Sequence, residues 1–279
     1  METKSLNVLL PTDFSDNAWN TVVYALKLYQ KQACRFYFLH ATKIRLKNSA
    51  ISSSKLSDVI REAATKEMDA LKALAESWKI SKHHKFMSII SSEDLIDAIE
   101  IAVVKHNIDV VILGTKGATG AKKLFFGSNT VGVIKNMRLR PILVVPDEYD
   151  FVVPQQIAFP TDFNRMYNHV QLQPILDLAT LYHSKLRIVH INKEKALSPV
   201  QEENLEILKG CLSALHFSFH WMPDYIKLTK EIHVFIEELN IDMLVMLNYK
   251  HSFIQNIVNE PVIANIGFNP KIPFLVVPV

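Results

Sequence analysis

The chain has 279 residues, 49% of them hydrophobic, with no apolar run as long as a membrane span and no signal-peptide pattern, so we expect a cytoplasmic globular protein of two domains. The net charge of +3 conceals an asymmetry, because residues 1–150 contain 21 Lys and Arg against 16 Asp and Glu, whereas residues 151–279 contain 10 against 12. The first-half surplus suits one anionic ligand and is too small to indicate nucleic-acid binding by charge alone, so neither a nucleic acid nor a membrane is expected as a partner.

In the first half, short apolar runs rich in β-forming residues alternate with helical patterns, which is typical of βαβ units around a parallel sheet. Ser15 is predicted to cap a first helix over about 16–31, and Ser91 with Asp94 resembles a capping box before a third helix. The apolar face of the second helix is predicted to comprise Leu56, Val59, Ile60, Ala63, Leu71, Leu74 and Trp78. The strands are predicted near 6–11, 35–41, 84–90, 109–114 and 141–146.

The second half repeats the first. VLLPTDFS at 8–15 returns as IAFPTDFN at 157–164, and PILVVP at 141–146 returns as PFLVVP at 273–278. Two shorter echoes occur in the same order: Phe38-Leu39-His40 with Ile188-Val189-His190, and Asn107-Ile108-Asp109 with Asn240-Ile241-Asp242. These matches indicate a tandem duplication. We predict domains at 1–147 and 153–279, joined by a short linker.

Glycine is concentrated in one segment, since five of the seven glycines lie in GTKGATGAKKLFFGSNTVGVIKN, residues 114–136. Such a cluster predicts backbone with positive φ or a close approach to another group. The segment follows a predicted strand and leads into a helix from Ser128, and open parallel sheets bind ligands beyond the carboxyl ends of their strands.

A helix N-terminus offers unpaired N–H groups and partial positive charge to phosphate oxygens. Ser128 and Thr130 would add hydroxyl donors there, and Lys116, Lys122 and Lys123 would add charge. Asp13, in the loop after the first strand, would accept hydrogen bonds from a ribose or an adenine amine, or would help to hold a metal ion. On the residues alone, an ordinary turn-rich connection is an equal alternative.

PTDFS after the first strand, and GxxG followed by nine residues and G[ST], here Gly114, Gly117, Gly127 and Ser128, resemble the ATP-binding class of the universal stress protein family. The resemblance covers the whole chain as two tandem copies. It implies an α/β fold with two tandem open parallel five-stranded sheets in the order 3-2-1-4-5, of the adenine nucleotide alpha hydrolase-like type, with helices on both faces. It also implies a stress-response function, ATP with or without Mg²⁺ as ligand, and domains that pair through their last strands as an internal pseudo-dimer.

The resemblance also implies a set of binding residues. Asp13 would lie near the ribose and adenine, the backbone around Ala41 at the adenine edge, and the residues from Gly127 around the phosphates. The complete set is Pro11, Thr12, Asp13, Ala41, Gly114, Gly117, Gly127, Ser128, Asn129 and Thr130.

The second copy departs from the motif. It has Asn248-Tyr249-Lys250-His251 where the first has GTKG, and its retained Asp162 is not enough to hold a nucleotide. We therefore predict one nucleotide site per chain, in the first domain. The second domain would serve as a built-in dimerisation partner or bind something else, and exposed helical faces would allow two chains to associate.

Other patterns have less specific meanings. His216 and His220 are predicted on a strand, where four residues span about 13 Å, too far to share a metal ion. A structural role is predicted for His40 and His190, burial for Cys34 and Cys211, and a place in the core for Trp19, Trp78 and Trp221.

Catalysis has little support in the sequence. The chain lacks the GxxxxGK[ST] loop and its lysine, so strong ATPase or kinase activity is not expected. Slow ATP hydrolysis involving Asp13 or a metal stays an alternative, as does an interaction scaffold that binds no nucleotide.

Overall fold

The computed structural model describes residues 5–42, 53–115, 127–192, 196–223, 228–249 and 271–279. It divides the chain into two compact units, Met1–Phe151 and Val152–Val279. Each unit is an open parallel sheet with helices between its strands, which confirms the expected α/β fold class. Within the described residues no helix is both long and apolar enough to cross a membrane.

The first unit has five parallel strands in the order β3-β2-β1-β4-β5. The chain runs from β1 to β2 and β3 in one direction and then returns to β4 and β5 in the other. Because crossovers between parallel strands are right-handed, α1 and α2 lie on one face of the sheet and α3 and α4 on the other. Its elements are β1 (Leu6–Pro11), α1 (Asp16–Leu28), β2 (Cys34–Ala41), α2 (Ser53–Ser77), β3 (His84–Ser91), α3 (Leu95–Lys105), β4 (Val110–Gly114), α4 (Ser128–Asn136) and β5 (Ile142–Val145).

The second unit has the same topology in its described strands, with the order β8-β7-β6-β9-β10. Its elements are β6 (Gln156–Pro160), α5 (His169–Tyr182), β7 (Lys185–Asn192), α6 (Pro199–Cys211), β8 (His216–Pro223), α7 (Leu228–Glu238), β9 (Met243–Asn248) and β10 (Phe274–Pro278).

The repeated Asn-Ile-Asp segments stabilise the amino ends of the central strands. Asn107 and Asn240 both have a φ of 48°, in the left-handed region that asparagine tolerates. Two residues later, a carboxylate accepts from a backbone N–H at the central strand: Asp109 from Asn7 at 2.8 Å, and Asp242 from Gln156 at 2.8 Å. This repeat is therefore structural.

Two predicted helix starts have different outcomes. Ser15 is the N-cap of α1 and accepts from the N–H of Ala18, as predicted. The predicted capping box at Ser91 is wrong, because Ser91 is still paired in β3 and its hydroxyl accepts from the N–H of Glu93 at 3.2 Å. The third helix begins later, at Leu95.

The buried face of α2 matches the prediction at Leu71 but differs elsewhere, and the side chain of Leu56 lies outside the described residues. Ala64, Met68, Leu71 and Ala75 form the buried stripe, whereas Val59, Leu74 and Trp78 are 62%, 45% and 44% exposed. The helix has more apolar positions than one face can bury, and small alanines let it lie close to the sheet. The apolar positions alone therefore did not identify the inward face of the helix.

Both cysteines are buried and free, as predicted. Burial, and secondarily the nearby Asp109 carboxylate, raises the pKa of the Cys34 thiol to about 12. Cys34 is thus an inert core residue of β2 rather than a nucleophile.

Candidate functional site

The turn after β1 is held in a single conformation by its own side chains. The Thr12 hydroxyl accepts from the N–H of Phe14 at 3.0 Å, and Phe14 has a φ of 62°, unusual for a bulky residue. Its ring lies 4.5 Å from that of His40, whose Nδ1 is 2.8 Å from the Thr12 carbonyl. Because a carbonyl only accepts, Nδ1 of His40 carries the proton.

Asp13 lies in this turn with its side chain exposed. Its Oδ1 accepts from the N–H of Ser15 at 3.2 Å and from the Ser15 hydroxyl at 2.6 Å, and Ser15 in turn caps α1. The carboxylate is thereby oriented at a helix N-terminus, where negative charge is stabilised.

The two ends of the glycine segment are joined by hydrogen bonds. The N–H of Gly127 donates to the carbonyl of Thr115 at 2.5 Å, and the Thr130 hydroxyl donates to the carbonyl of Gly114 at 2.8 Å. α4 begins at Ser128, as predicted, and is therefore fixed beside the end of β4. Gly117, Lys116, Lys122 and Lys123 lie outside the described residues.

These bonds change the expected donors. Thr130 is only 3% exposed and uses its hydroxyl on Gly114, so that hydroxyl is not a phosphate donor. Ser128 and Asn129 are exposed in the first turn of α4, where backbone N–H groups lack partners within the helix. The site's hydrogen-bond donors are therefore these amides and the Ser128 hydroxyl.

The two described glycines of the motif serve different physical needs. A Cβ at Gly114 would lie 2.9 Å from Nδ2 of Asn17 and 3.0 Å from Oγ1 of Thr21, so α1 packs against bare backbone here. Gly127 has φ −61° and ψ 152°, which any residue adopts, so positive φ does not explain this glycine. Two explanations were predicted for the glycine cluster, positive φ and a close approach by another group. Only the second can apply at Gly127.

Nine of the ten predicted binding residues lie at one end of the first sheet or at the start of α4. Pro11 ends β1, Thr12 and Asp13 follow it in the turn, and Gly114 ends the neighbouring β4. Ala41 ends β2 on the other side, two residues beyond the Leu39 that pairs with Pro11. This is the switch point of the strand order, where the carboxyl ends of the strands open a crevice.

The second unit reproduces the turn after its first strand. Thr161 accepts from the N–H of Phe163 at 3.2 Å, and Phe163 has a φ of 55° and lies against the ring of His190 at 4.9 Å. Nδ1 of His190 is 3.0 Å from the Thr161 carbonyl. The duplicated histidines therefore share the structural role that was predicted for them.

Beyond this turn, side chains of the second unit occupy the equivalent crevice. The Tyr249 hydroxyl donates to Oδ1 of Asp162 at 3.1 Å, and the Arg165 guanidinium lies 5.2 Å from the Tyr249 ring centre. Burial, and then the Asp162 carboxylate, raises the pKa of Tyr249. Asn248, in the place of Gly114, is 2% exposed. Lys250 and His251 lie outside the described residues.

α6 adds contacts that sequence reasoning missed. The Gln201 amide donates to the Asp162 carbonyl at 2.8 Å, and the Asn204 amide donates to the Phe163 carbonyl at 2.8 Å. The only sequence signal was a pair of amides, Gln201 and Asn204, three residues apart on a helix, which are buried at 4% and 5% exposure. The loop that carries Asp162 is thus held by α6 as well as by Tyr249.

The metal and tryptophan predictions can be compared with the described residues. His216 and His220 lie on strand β8, as predicted, and no group of three or more His, Cys, Asp or Glu in the described ranges is placed to hold a metal. The prediction that the tryptophans are core residues is wrong for Trp78 and Trp221, which are 44% and 47% exposed.

Comparisons with known proteins identify the family of the chain. The family model described as universal stress protein family matches residues 5–146, just over half of the chain. A universal stress protein of Methanocaldococcus jannaschii is 25% identical over 141 residues, covering 50% of this chain and 80% of that protein. One from Synechocystis sp. is 26% identical over 293 residues, covering 96% of this chain and 98% of that protein.

The fold also matches a solved structure over nearly its full length. A universal stress protein from Archaeoglobus fulgidus has a TM-score of 0.69 at 16% identity, covering 99% of this chain and 97% of that chain. At this identity the likeness supports the fold alone. Because the family model spans the whole first unit and the Synechocystis protein aligns along both units, the chain belongs to the universal stress protein family, a family of stress-response proteins.

Proposed function

We propose that the protein is an ATP-binding stress-response regulator with one nucleotide site, at the carboxyl end of the first sheet. The observation that carries the proposal is the fixed placement of the α4 N-terminus beside Gly114, one strand away from the Asp13 turn. In this arrangement the amides at the start of α4 would bind phosphates, and the Asp13 carboxylate would accept from ribose hydroxyls. The residues present therefore fit an adenine nucleotide, with or without Mg²⁺.

Each group would have a defined part in binding. The exposed first turn of α4, with Ser128 and Asn129, would hold phosphate oxygens, and the oriented carboxylate of Asp13 would accept from the ribose. Gly114 keeps α1 close to the crevice floor. Pro11, Thr12 and the Ala41 backbone would line the adenine side. A bound nucleotide would then change the conformation or partners of the protein.

The second unit supports the proposal of a single site. Its counterpart carboxylate, on Asp162, already accepts from Tyr249, and the bulky Asn248 replaces Gly114. We propose that this unit serves as a built-in dimerisation partner. The cytoplasmic location stays a prediction.

The test begins with nucleotide release from freshly purified protein by denaturation, followed by chromatography and titration with Mg-ATP. We expect about one adenine nucleotide per chain, and none from Gly127→Val. The φ and ψ of Gly127 are ones that valine also adopts, so we expect no backbone strain in this variant, and a thermal unfolding curve beside that of the unaltered protein checks that it is folded. Unchanged affinity in Gly127→Val would refute the site.

The duplication supplies a matched pair of variants. Asp13→Ala is expected to weaken ATP binding by about tenfold, the loss of one charge-assisted hydrogen bond. Asp162→Ala, at the equivalent place in the second unit, is expected to leave it unchanged. Equal effects of both would contradict a single site in the first unit.

The same protein samples can also distinguish two alternative functions, slow ATP hydrolysis and an interaction scaffold. Release of phosphate above background that disappears in Asp13→Ala would indicate slow ATP hydrolysis. Protein that contains no nucleotide and does not bind added Mg-ATP would indicate an interaction scaffold.

A further inference from the structure

A cluster of positive charge lies at the other end of the first sheet, away from the glycine motif. Residues 17–57 contain no Asp or Glu, and neither do residues 77–92. The fold joins the two segments, since Nε2 of His84 donates to the carbonyl of Tyr29 at 3.0 Å and Arg35 pairs in register with Lys85. Two acid-free segments thus meet at the amino ends of β2 and β3.

The meeting place contains an open cavity of about 570 Å³. Lys79, Lys82 and Lys85 line it together with Phe86, and Glu76 is the one carboxylate among the described lining residues. The Glu76 carboxylate lies 4.0 Å from the ammonium of Lys72 and is partly neutralised by it. The cavity is therefore strongly cationic.

Five exposed cations lie in the turns before β2 and β3 or in the first residues of these strands, and we call them the lysine edge: Lys31, Arg35, Lys79, Lys82 and Lys85. Their combined charge exceeds the net charge of +3 for the whole chain, so the rest of the molecule is net negative. A cation after a helix C-terminus or on an edge strand is stabilising without any ligand. These effects account for Lys79, which follows α2, and for Lys85, which lies on the edge strand β3. They do not explain why three lysines surround one cavity.

An exposed aromatic residue immediately precedes one cation of the lysine edge in the chain. Trp78 lies between Glu76 and Lys79 in the chain, is 44% exposed, and has its ring 5.6 Å from that of Trp19 in an edge-on arrangement. An indole held against a second indole and open to solvent is a rigid surface on which a base can stack. An acidic peptide would bind the lysines through its carboxylates but would not stack on the Trp78 ring.

We propose that the lysine edge, with Trp78, binds single-stranded nucleic acid without base specificity. Lysine ammonium groups are point charges that contact phosphates without reading bases, and exposed aromatic rings stack any base. The overall charge of the chain did not indicate this partner, because the excess charge is local. The cations of the lysine edge are at the opposite end of the strands from the nucleotide site, so the inference does not rest on the proposed function.

The test is fluorescence anisotropy of a labelled oligothymidylate of about 20 nucleotides with the full chain, at salt from about 50 to 200 mM. Five phosphate contacts predict a slope of log affinity against log salt of about −3.5. The triple variant Lys79→Gln, Lys82→Gln, Lys85→Gln is expected to lose at least about tenfold in affinity and to reduce the slope to about −1.4.

A matched triple variant removes the same charge elsewhere. Arg138→Gln, Arg140→Gln and Lys185→Gln change three exposed cations outside the lysine edge, and binding is expected to stay near that of the unaltered protein. Trp78→Ala is expected to weaken binding about tenfold with an unchanged salt slope, because it removes stacking and no charge. Equal losses in the two triple variants would overturn the proposal.

Two further outcomes would also overturn it. Displacement of the oligonucleotide by polyglutamate of equal charge, at equal concentration, would make the surface a site for acidic peptides. Loss of oligonucleotide binding in Gly127→Val would move the binding to the nucleotide crevice. Retained binding in Gly127→Val supports the lysine edge whether or not the protein binds ATP.

Discussion

The hydroxyl of Thr130 donates a hydrogen bond of 2.8 Å to the carbonyl of Gly114, joining the first turn of α4 to the end of β4. Thr130 is 3% exposed, so this bond is made away from water. A second bond, from the N–H of Gly127 to the carbonyl of Thr115, lies beside it. The helix N-terminus that we propose as the phosphate site is therefore positioned by the chain itself.

Thr130→Val should destabilise the protein. Valine has nearly the same shape but leaves the Gly114 carbonyl without its donor, and an unsatisfied buried acceptor costs about 1–3 kcal/mol. We expect that loss in the free energy of unfolding, measured by urea denaturation. Ser128→Ala, two residues away and exposed, should stay within about 0.5 kcal/mol of the unaltered protein. Equal stability of Thr130→Val and the unaltered protein would show that the bond contributes nothing.

Glycine-to-alanine changes in the two units should have opposite signs. In Gly114→Ala the new Cβ would lie 2.9 Å from Nδ2 of Asn17 and 3.0 Å from Oγ1 of Thr21, so these two side chains must move away from it, at about 1–3 kcal/mol. At Gly210, inside α6, the new Cβ meets nothing within 4 Å. Gly210→Ala should therefore stabilise the protein by about 0.5–1 kcal/mol through helix propensity. Thermal unfolding of both variants measures these changes in stability. A Gly114→Ala variant as stable as the unaltered protein would contradict the packing argument.

Local patterns predicted most of the fold. The strands of the first unit were located to within one or two residues, because parallel strands are continuous apolar runs bounded by turns. The repeat of PTDF and of Asn-Ile-Asp was visible in the sequence, and both prove to be structural units with repeated hydrogen bonds. The start of α4 at Ser128 followed from the glycine before it.

Side-chain partners could not be predicted in the same way. The hydroxyl of Thr130 has the same chemistry whether it faces a phosphate or the carbonyl of Gly114, and only the fold decides between them. Val59, Leu74 and Trp78 were placed inward because they are large and apolar, yet the sheet contacts the neighbouring stripe of α2. These outcomes depend on tertiary contacts, which periodicity does not contain.

The second unit shows the same limit. The sequence showed that Tyr249 belongs to the segment that replaces GTKG, and its hydrogen bond to Asp162 at 3.1 Å is a specific contact that the sequence did not indicate. Burial, and then the Asp162 carboxylate, raises the pKa of Tyr249 above its usual value near 10. The folded protein thus holds the phenol proton more tightly than the unfolded chain does. The resulting stability is complete below about pH 9 and is lost as the pH rises through about 10 toward the pKa of the folded state.

Tyr249→Phe isolates this effect. At pH 7 the variant should be less stable by about 0.5–1.5 kcal/mol, because it lacks the hydrogen bond to Asp162. Between about pH 9 and 11 that difference should shrink, since only the unaltered protein loses the contribution of residue 249 on ionisation. Burial also raises the pKa values of Tyr167 and Tyr182. Tyr182 is present in both proteins and cancels in the difference, whereas Tyr167 interacts electrostatically with Tyr249 and adds to the difference where Tyr167 itself ionises. Urea denaturation at each pH measures the difference in the free energy of unfolding between the two proteins. A difference that does not change with pH would show that Tyr249 has the same pKa in the folded and unfolded states.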